Sequence, residues 1–289
     1  MKENQIIFFN DSHTYWKNGQ KLRSVSYFID KLSKEFESDY WLTHKALQAI
    51  YGEEYQNHYN SFKYRGKEGR LFQVISPDQD LLFNPFIERG DLNQINIVKE
   101  EIATKWLFKK ILTQWRGSKL HKEIELSSIE KGSEQNPFTG KDVELVHSTK
   151  EWDNQSLAEN LYDLKDGYYP ELLVFDPVHL ICGQADAVFI ETVGDQRFVD
   201  INDHKTNEKQ PEKSNMNRMN APLDHLSDSK HNRYMIQVCL YAGLLSKHGF
   251  IPRNVGYTWY KDYEIDSKKL ISFPYASTEI EAVFCHFFP

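Results

Sequence analysis

The chain has 289 residues, of which 40% are hydrophobic and 14% aromatic, and its formal net charge at pH 7 is −7. This composition excludes a wholly disordered chain, and the acidic balance argues against a protein that coats nucleic acid through bulk positive charge. The length suits one large domain or a domain with an extension.

The N-terminal part predicts a hairpin followed by helices. Asn18 and Gly19 tolerate positive φ and favour a tight hairpin turn after a short strand. A helix capped by Ser24 or Ser26 should follow, and a second helix should end near Gly52.

The stretch from 53 to 95 is polar and is interrupted by Gly and Pro, which indicates irregular structure. We therefore predict a hairpin and mainly helical N-terminal extension at 1–95. It should pack on a core domain at 96–289.

The core should begin with a long amphipathic helix. Its apolar face recurs at steps of about four, at Val98, Ile102, Trp106 or Leu107, Ile111 and Trp115. Gly117 should interrupt this helix, and a new helix starting at Ser118 would place His121 and Glu125 one turn apart on one face. Another short helix is predicted around 156–164.

Three strands are predicted next, at 171–176, 179–191 and 197–205, as antiparallel neighbours. The small residues of the second strand, beginning with Gly183, leave one of its faces slim, so we expect a helix or a ligand to approach there. A long mobile loop should cover 206–232.

The remaining sequence predicts a helix at 233–249, a strand at 254–265 and a C-terminal helix at 277–288 with Ser277 or Thr278 as its cap. Gln237 and Tyr241 lie four residues apart on the first of these helices and should therefore share a face.

The third predicted strand ends in charged residues. Side chains alternate along a strand, so Asp203 and Lys205 continue the row begun by Val199 and Ile201, while Asp200 belongs to the opposite face as a structural residue. Burying charge is costly unless a metal or a phosphate compensates. The alternative is a solvated ion pair at the end of a strand.

Four motifs follow one another in the order of a known family. They are G-x-x-x-H with His121, G-x-x-D with Asp186, D-x-K with Asp203 and Lys205, and Q-x-x-x-Y with Gln237 and Tyr241. Over roughly residues 117 to 245 the chain resembles the RecB-type branch of the PD-(D/E)XK nuclease superfamily. The resemblance implies an α/β fold with a restriction-endonuclease-like core, a central mixed β-sheet flanked by helices.

The resemblance also implies a metal site. His121, Asp186, Asp203 and the backbone carbonyl of His204 would bind Mg²⁺ or Mn²⁺, and carboxylate and carbonyl oxygens with one imidazole suit these cations. Asp186, Asp203 and Lys205 would be catalytic, with Lys205 contacting the attacking water or a nonbridging phosphate oxygen. A lone histidine is otherwise more often an ordinary core or surface residue.

Further polar residues have two interpretations each. Glu171 is either an additional carboxylate of the site or a solvated residue at the start of a strand, and Glu125 either holds the imidazole of His121 or faces solvent. By resemblance, Gln237 and Tyr241 bind substrate or orient groups of the site; alternatively, they mark a half-exposed helix edge.

Basic residues near these motifs are candidates for contacts with the DNA backbone: Arg116, Lys119, Lys209, Lys213, Arg218 and Arg233. The loop at 206–232 would then be a basic flap over the site. The alternative is a solvated insertion.

The resemblance implies metal-dependent hydrolysis of DNA phosphodiesters, with exonuclease action in recombination, repair or phage DNA processing. A catalytically inactive nucleic-acid-binding or assembly protein is the first alternative, and a hydrolase of another phosphoester is the second. The three scattered cysteines predict no iron–sulfur cluster like that of some relatives, and no Walker A motif appears, so we expect no bound nucleotide and no motor activity in this chain. A helicase, recombinase or single-strand-binding partner would be a separate chain.

The sequence has neither a signal peptide nor an apolar run long enough to span a membrane. Its cysteines form no disulfide framework. We therefore expect a soluble cytoplasmic protein without a membrane partner.

Overall fold

The computed structural model describes residues 6–9, 14–65, 71–73, 79–146, 150–152, 155–157, 160–213 and 217–289. The chain forms two compact units, one made of Met1–Lys34 with Arg116–Pro289 and the other of Glu35–Trp115. The larger unit therefore includes both ends of the chain, whereas the sequence predicted a boundary near residue 95.

The helices are α1 (Val25–Leu32), α2 (Ser38–Ser61), α3 (Gln79–Ile87), α4 (Leu92–Lys131), α5 (Lys230–Ser246) and α6 (Ser277–Phe287). The first ten strands are β1 (Ile6–Phe9), β2 (Thr14–Lys17), β3 (Gln20–Lys21), β4 (Arg23–Ser24), β5 (Lys63–Arg65), β6 (Leu71–Gln73), β7 (Ser133–Gln135), β8 (Asp142–Glu144), β9 (Lys150–Trp152) and β10 (Gln155–Leu157). The others are β11 (Gly167–Asp176), β12 (Ile181–Val193), β13 (Gln196–Lys205), β14 (Phe250–Tyr260) and β15 (Lys268–Phe273). The fold is therefore mixed α/β.

The central sheet has the order β11-β12-β13-β14-β15, and β4 adds to it beside β12. The antiparallel pairing of β11, β12 and β13 is confirmed. β14 then runs parallel to β13, and β15 antiparallel to β14, so the sheet is mixed as expected. Its main core is apolar and includes residues of α1, α5 and α6, among them Phe28, Ile236 and Ile280.

A second sheet has the order β3-β2-β1-β10-β9. The predicted hairpin turn is confirmed, with φ of 49° at Asn18 and 78° at Gly19. Of the two predicted caps of α1, Ser24 is the one that acts: its hydroxyl accepts a hydrogen bond from the backbone N–H of Tyr27 at 3.2 Å.

The Glu35–Trp115 unit corrects two expectations. Gly52 bends α2 (φ 55°, ψ −123°), but the helix continues to Ser61. The stretch expected to be irregular also forms α3, because aromatic residues such as Tyr55 and Phe86 pack into a core of their own. Tyr55, Tyr59 and Phe62 recur at steps of four and three, a helical period that the many polar residues around them obscure, and they bury apolar surface that orders the stretch.

The predicted break at Gly117 is wrong, since α4 is one helix of 40 residues. A single glycine costs a helix only about 1 kcal/mol relative to alanine, which tertiary contacts readily offset. The predicted apolar face is buried only in part: Val98 and Ile102 pack against the core of the Glu35–Trp115 unit, whereas Ile111 is exposed.

Three further elements differ from expectation. Residues 156–164 contain the end of β10 and a short 3-10 turn (Leu161–Asp163) instead of an α-helix. β15 was not predicted, and α6 starts without a side-chain cap. Among the described residues, no helix combines the length and apolar character that crossing a bilayer requires.

The described parts of the segment between β13 and α5, residues 206–213 and 217–229, make specific contacts with the rest of the larger unit. Met219 and Leu223 are buried in the main core. Asn220 Nδ2 donates to the carbonyls of Lys31 and Ser33 at 2.9 Å each, beside the end of α1. The sequence of this segment shows no apolar period because single side chains, such as Met219 and Leu223, are buried separately and do not form one continuous face.

Candidate metal centre

The end of β13 carries buried charge. Val199 and Ile201 fix one face of the strand in the core, and Asp203, 1% exposed, continues that face. Lys205 Nζ lies 2.5 Å from Asp203 Oδ2 and donates to Gln237 Oε1 at 3.0 Å. The lysine is therefore held between the sheet and α5.

The electrostatics of this pair keep the lysine charged. Burial lowers the pKa of Lys205, but the carboxylates of Asp203 and Asp186 outweigh it, and the pKa lies above its ordinary value. Burial and the charge of Asp186 raise the pKa of Asp203, while Lys205 opposes that rise. Lys205 is therefore a charged ammonium in the metal-free protein.

His121 joins the sheet from α4. Its Nε2 donates to the carbonyl oxygen of His204 at 3.0 Å, and its Nδ1 lies 3.6 Å from Asp186 Oδ2. The same Asp186 oxygen accepts a hydrogen bond from the backbone N–H of His204 at 2.6 Å. The structure thus brings together three of the four ligands that the resemblance implied.

Glu171 completes this cluster. One ligand atom from each of His121, Glu171 and Asp186 lies within 4.8 Å of the others. The ladder pairs on either side, Pro170 with Ala187 and Leu172 with Ala185, place Glu171 across from Asp186. Glu171 itself has φ of 50°, a conformation that costs a non-glycine residue free energy and is often found at functional sites.

The burial of Glu171 and the charges around it disfavour the ionised form of its carboxyl group. Burial raises the pKa of Glu171 well above its ordinary value, and the nearby carboxylates of Asp186, Glu125 and Asp203 raise it further. Lys122 acts in the opposite direction. A divalent cation would relieve this repulsion.

The donor set fits a hard divalent cation. It offers several carboxylate oxygens, one backbone carbonyl and one imidazole, as Mg²⁺ or Mn²⁺ sites do. Asp203 Oδ2 is fully buried and, among the described residues, accepts no hydrogen bond of ordinary geometry despite its ion pair with Lys205. Asp203, the fourth ligand that the resemblance implied, lies outside the 4.8 Å cluster of the other three side chains and contacts Lys205 instead.

Close approaches between elements position the site. A Cβ atom at Gly117 would lie 3.0 Å from Thr206 Oγ1, so the glycine lets α4 approach the end of β13 one turn before His121. A Cβ atom at Gly183 would lie 2.6 Å from the ring of Tyr241. The expected approach of a helix to the slim face of β12 is thereby confirmed.

Gln237 and Tyr241 continue the polar network, since Gln237 Nε2 donates to Tyr241 Oη at 2.9 Å. Two residues that the sequence reasoning missed also lie here. Lys205 Nζ lies 4.6 Å from the ring centroid of Tyr234, whose hydroxyl bonds to Asn207. The spacing of Tyr234 from Gln237, one turn along α5, was the available signal.

The basic candidates differ in their surroundings. Arg218 donates to the carbonyl of His225 at 2.7 Å, and Arg233 binds Asp228 through two nitrogens, so both have internal partners. Arg116 lies 5.6 Å from the centroid of the Tyr263 ring, and Lys119 Nζ lies 3.7 Å from Glu123 Oε1. Lys209 and Lys213 are exposed.

Asp200 lies on the opposite face of β13, as expected, in a structural network. It is fully buried and accepts hydrogen bonds from Asn136, from two nitrogens of Arg253 and from Asn254.

Comparisons of the chain with protein-family models, curated proteins and solved structures found no match. A function must therefore be supported by the residues of the site.

Proposed function

We propose that the protein is a divalent-metal-dependent deoxyribonuclease that hydrolyses phosphodiester bonds. The observation that carries the proposal is the placement of Lys205, held as an ammonium by Asp203, beside a carboxylate and imidazole cluster suited to a cation. A cluster of acids alone would bind cations, whereas a fixed lysine beside it adds a group that recognises phosphate.

Each residue has a role in this proposal. His121, Asp186, Asp203 and the His204 carbonyl would hold Mg²⁺ or Mn²⁺, with Glu171 as an additional carboxylate. The cation would supply Lewis-acid stabilisation of the charge that develops on the phosphate during in-line displacement. The Lys205 ammonium donates to a nonbridging phosphate oxygen, and Gln237 fixes its direction.

The motif order extends the proposal to the PD-(D/E)XK superfamily, RecB-type branch, with a restriction-endonuclease-like core. On that resemblance we propose exonuclease action on DNA ends in recombination, repair or phage DNA processing. Contacts to the DNA backbone are assigned to Arg116, Lys119, Lys209 and Lys213. A helicase, recombinase or single-strand-binding partner would be a separate chain.

Cleavage of end-labelled linear and closed circular DNA, single- and double-stranded, tests the proposal with Mg²⁺, Mn²⁺ or EDTA. We expect metal-dependent cleavage that Lys205→Ala lowers by at least about a hundredfold while Mn²⁺ binding persists. Lys165→Ala, at an exposed lysine away from the site, is the matched control and should cleave as the wild type does.

Two outcomes would contradict the proposal. A wild-type protein that binds DNA but cleaves no substrate with either metal would be a binding or assembly protein. A protein that hydrolyses a small phosphodiester such as bis(p-nitrophenyl) phosphate while leaving DNA intact would be a hydrolase of another phosphoester.

A further inference from the structure

The face of α5 towards Lys205 carries three polar or aromatic residues in a row. Tyr234, Gln237 and Tyr241 follow at steps of three and four, so they lie on one face of the helix. Gln237 accepts from Lys205 and donates to Tyr241, whereas Tyr234 offers Lys205 only the face of its ring, 4.6 Å from Nζ to the centroid. That distance is within the range of a cation–π interaction.

The hydroxyl of Tyr234 makes different contacts. It donates to Asn207 Oδ1 at 3.1 Å and accepts from Asn207 Nδ2 at 3.0 Å. The backbone carbonyl of Asn207 in turn accepts from Trp259 Nε1 on β14 at 2.8 Å. The chain two residues beyond Lys205 is therefore fixed between α5 and β14.

The ammonium group has three N–H donors. Asp203 and Gln237 take two directions, while a ring face attracts the charge without fixing any single N–H direction. Among the described residues, Asp203 and Gln237 are the hydrogen-bond partners of Nζ, so its third donor can reach a phosphate oxygen although Asp203, Gln237 and the ring hold the ammonium on three sides.

We propose that Tyr234 is a positioning residue for Lys205, acting through its ring face, and that its hydroxyl fixes the following segment through Asn207. This inference rests on the proposed nuclease function. A change of Tyr234 should therefore lower turnover, whereas metal binding depends on the residues already described.

Four variants of Tyr234 separate the ring from the hydroxyl. Tyr234→Phe and Tyr234→Trp keep a ring face, whereas Tyr234→Leu and Tyr234→Met remove it. In DNA cleavage at saturating Mn²⁺ we expect both non-aromatic variants to lose about tenfold in kcat, and both aromatic variants to stay within about threefold of the wild type. KM for DNA and Mn²⁺ affinity, measured by calorimetry, should change by less than about twofold in all four.

Asn207→Ala is the matched control, because it removes the partner of the hydroxyl and leaves the ring in place. We expect it to behave as Tyr234→Phe does. Circular dichroism and thermal unfolding report the folded fraction, so that kcat is expressed per folded molecule.

The outcomes distinguish this inference from the nuclease proposal. If the wild type cleaves nothing, the nuclease function fails. If it cleaves and the non-aromatic variants match it, or if Phe and Trp lose as much kcat as Leu and Met, only the role of the ring is overturned. Unfolding of both non-aromatic variants would likewise overturn it, since Tyr234 would then be structural.

Discussion

At the scale of single residues, the site concentrates negative charge on three neighbouring strands of the central sheet. Asp186, Glu171 and Asp203 lie near one another; the Lys205 ammonium contacts Asp203, and the charge of Lys122 acts on Glu171. Such an arrangement opposes folding unless something cationic compensates. A divalent cation bound between these carboxylates would provide that compensation.

Glu171 should therefore destabilise the metal-free protein as the pH rises. Its folded pKa is raised, chiefly by burial and Asp186, so the folded state keeps a proton that the unfolded chain releases above about pH 4.3. Stability is full below that pH and falls as the pH rises towards the folded pKa. Glu171→Gln cannot ionise and should escape this loss.

Thermal unfolding in EDTA, from about pH 4.5 to pH 8, measures this effect. The Tm of Glu171→Gln minus that of the wild type should increase with pH. Saturating Mn²⁺ should raise the wild-type Tm and reduce that difference. A difference that stays constant with pH would show that Glu171 is solvated and ionises normally.

At the scale of elements, the close approach of α4 to the end of β13 depends on Gly117. Gly117→Ala favours the helix by up to about 1 kcal/mol, but its Cβ would lie 3.0 Å from Thr206 Oγ1. We expect α4 to shift and to carry His121 away from the His204 carbonyl. Mn²⁺ affinity, measured by calorimetry, should fall by about tenfold.

The second variant, Thr206→Ala, removes the atom that the new methyl group would meet. In that background Gly117→Ala should bind Mn²⁺ almost as tightly as Thr206→Ala alone does. An equal loss of affinity in both backgrounds would mean that Gly117 acts through helix geometry and not through this contact.

The elements that sequence predicted best are runs of apolar residues that are buried almost continuously. Most apolar residues of β11 to β13 and of α5 lie in the main core, while Tyr168, Ala187 and Phe189 form a smaller cluster, so these apolar runs report burial directly. The continuity of α4 through Gly117 and the existence of α3 depend on contacts between distant segments, which no local pattern records.

The same distinction applies to the site. Strand alternation alone predicts that Asp203 and Lys205 lie on one face. The left-handed φ of Glu171 and the ring of Tyr234 beside Lys205 arise from the packing of strands and of α5, and an aromatic residue on a helix ordinarily indicates core.

At the scale of the whole molecule, β13 separates two charged networks on its two faces. Asp203 and Lys205 point to the α5 side, whereas Asp200 points to the other and binds Arg253 at 2.7 Å. Arg253 also binds Glu191 at 2.5 Å, which links β14 to β12 across β13. The first network should determine catalysis and the second stability.

Arg253→Met tests this division. It leaves the fully buried Asp200 carboxylate with neutral donors only, and breaking such a pair costs about 3 kcal/mol of the free energy of unfolding. Chemical denaturation should show that loss, while kcat per folded molecule stays within about twofold of the wild type. The double variant Asp200→Asn with Arg253→Met should recover part of the stability, because no buried charge remains unpaired. A large fall in kcat in the single variant would instead mean that the two faces of β13 are coupled, since a change on the Asp200 side would then have reached Lys205 through the strand.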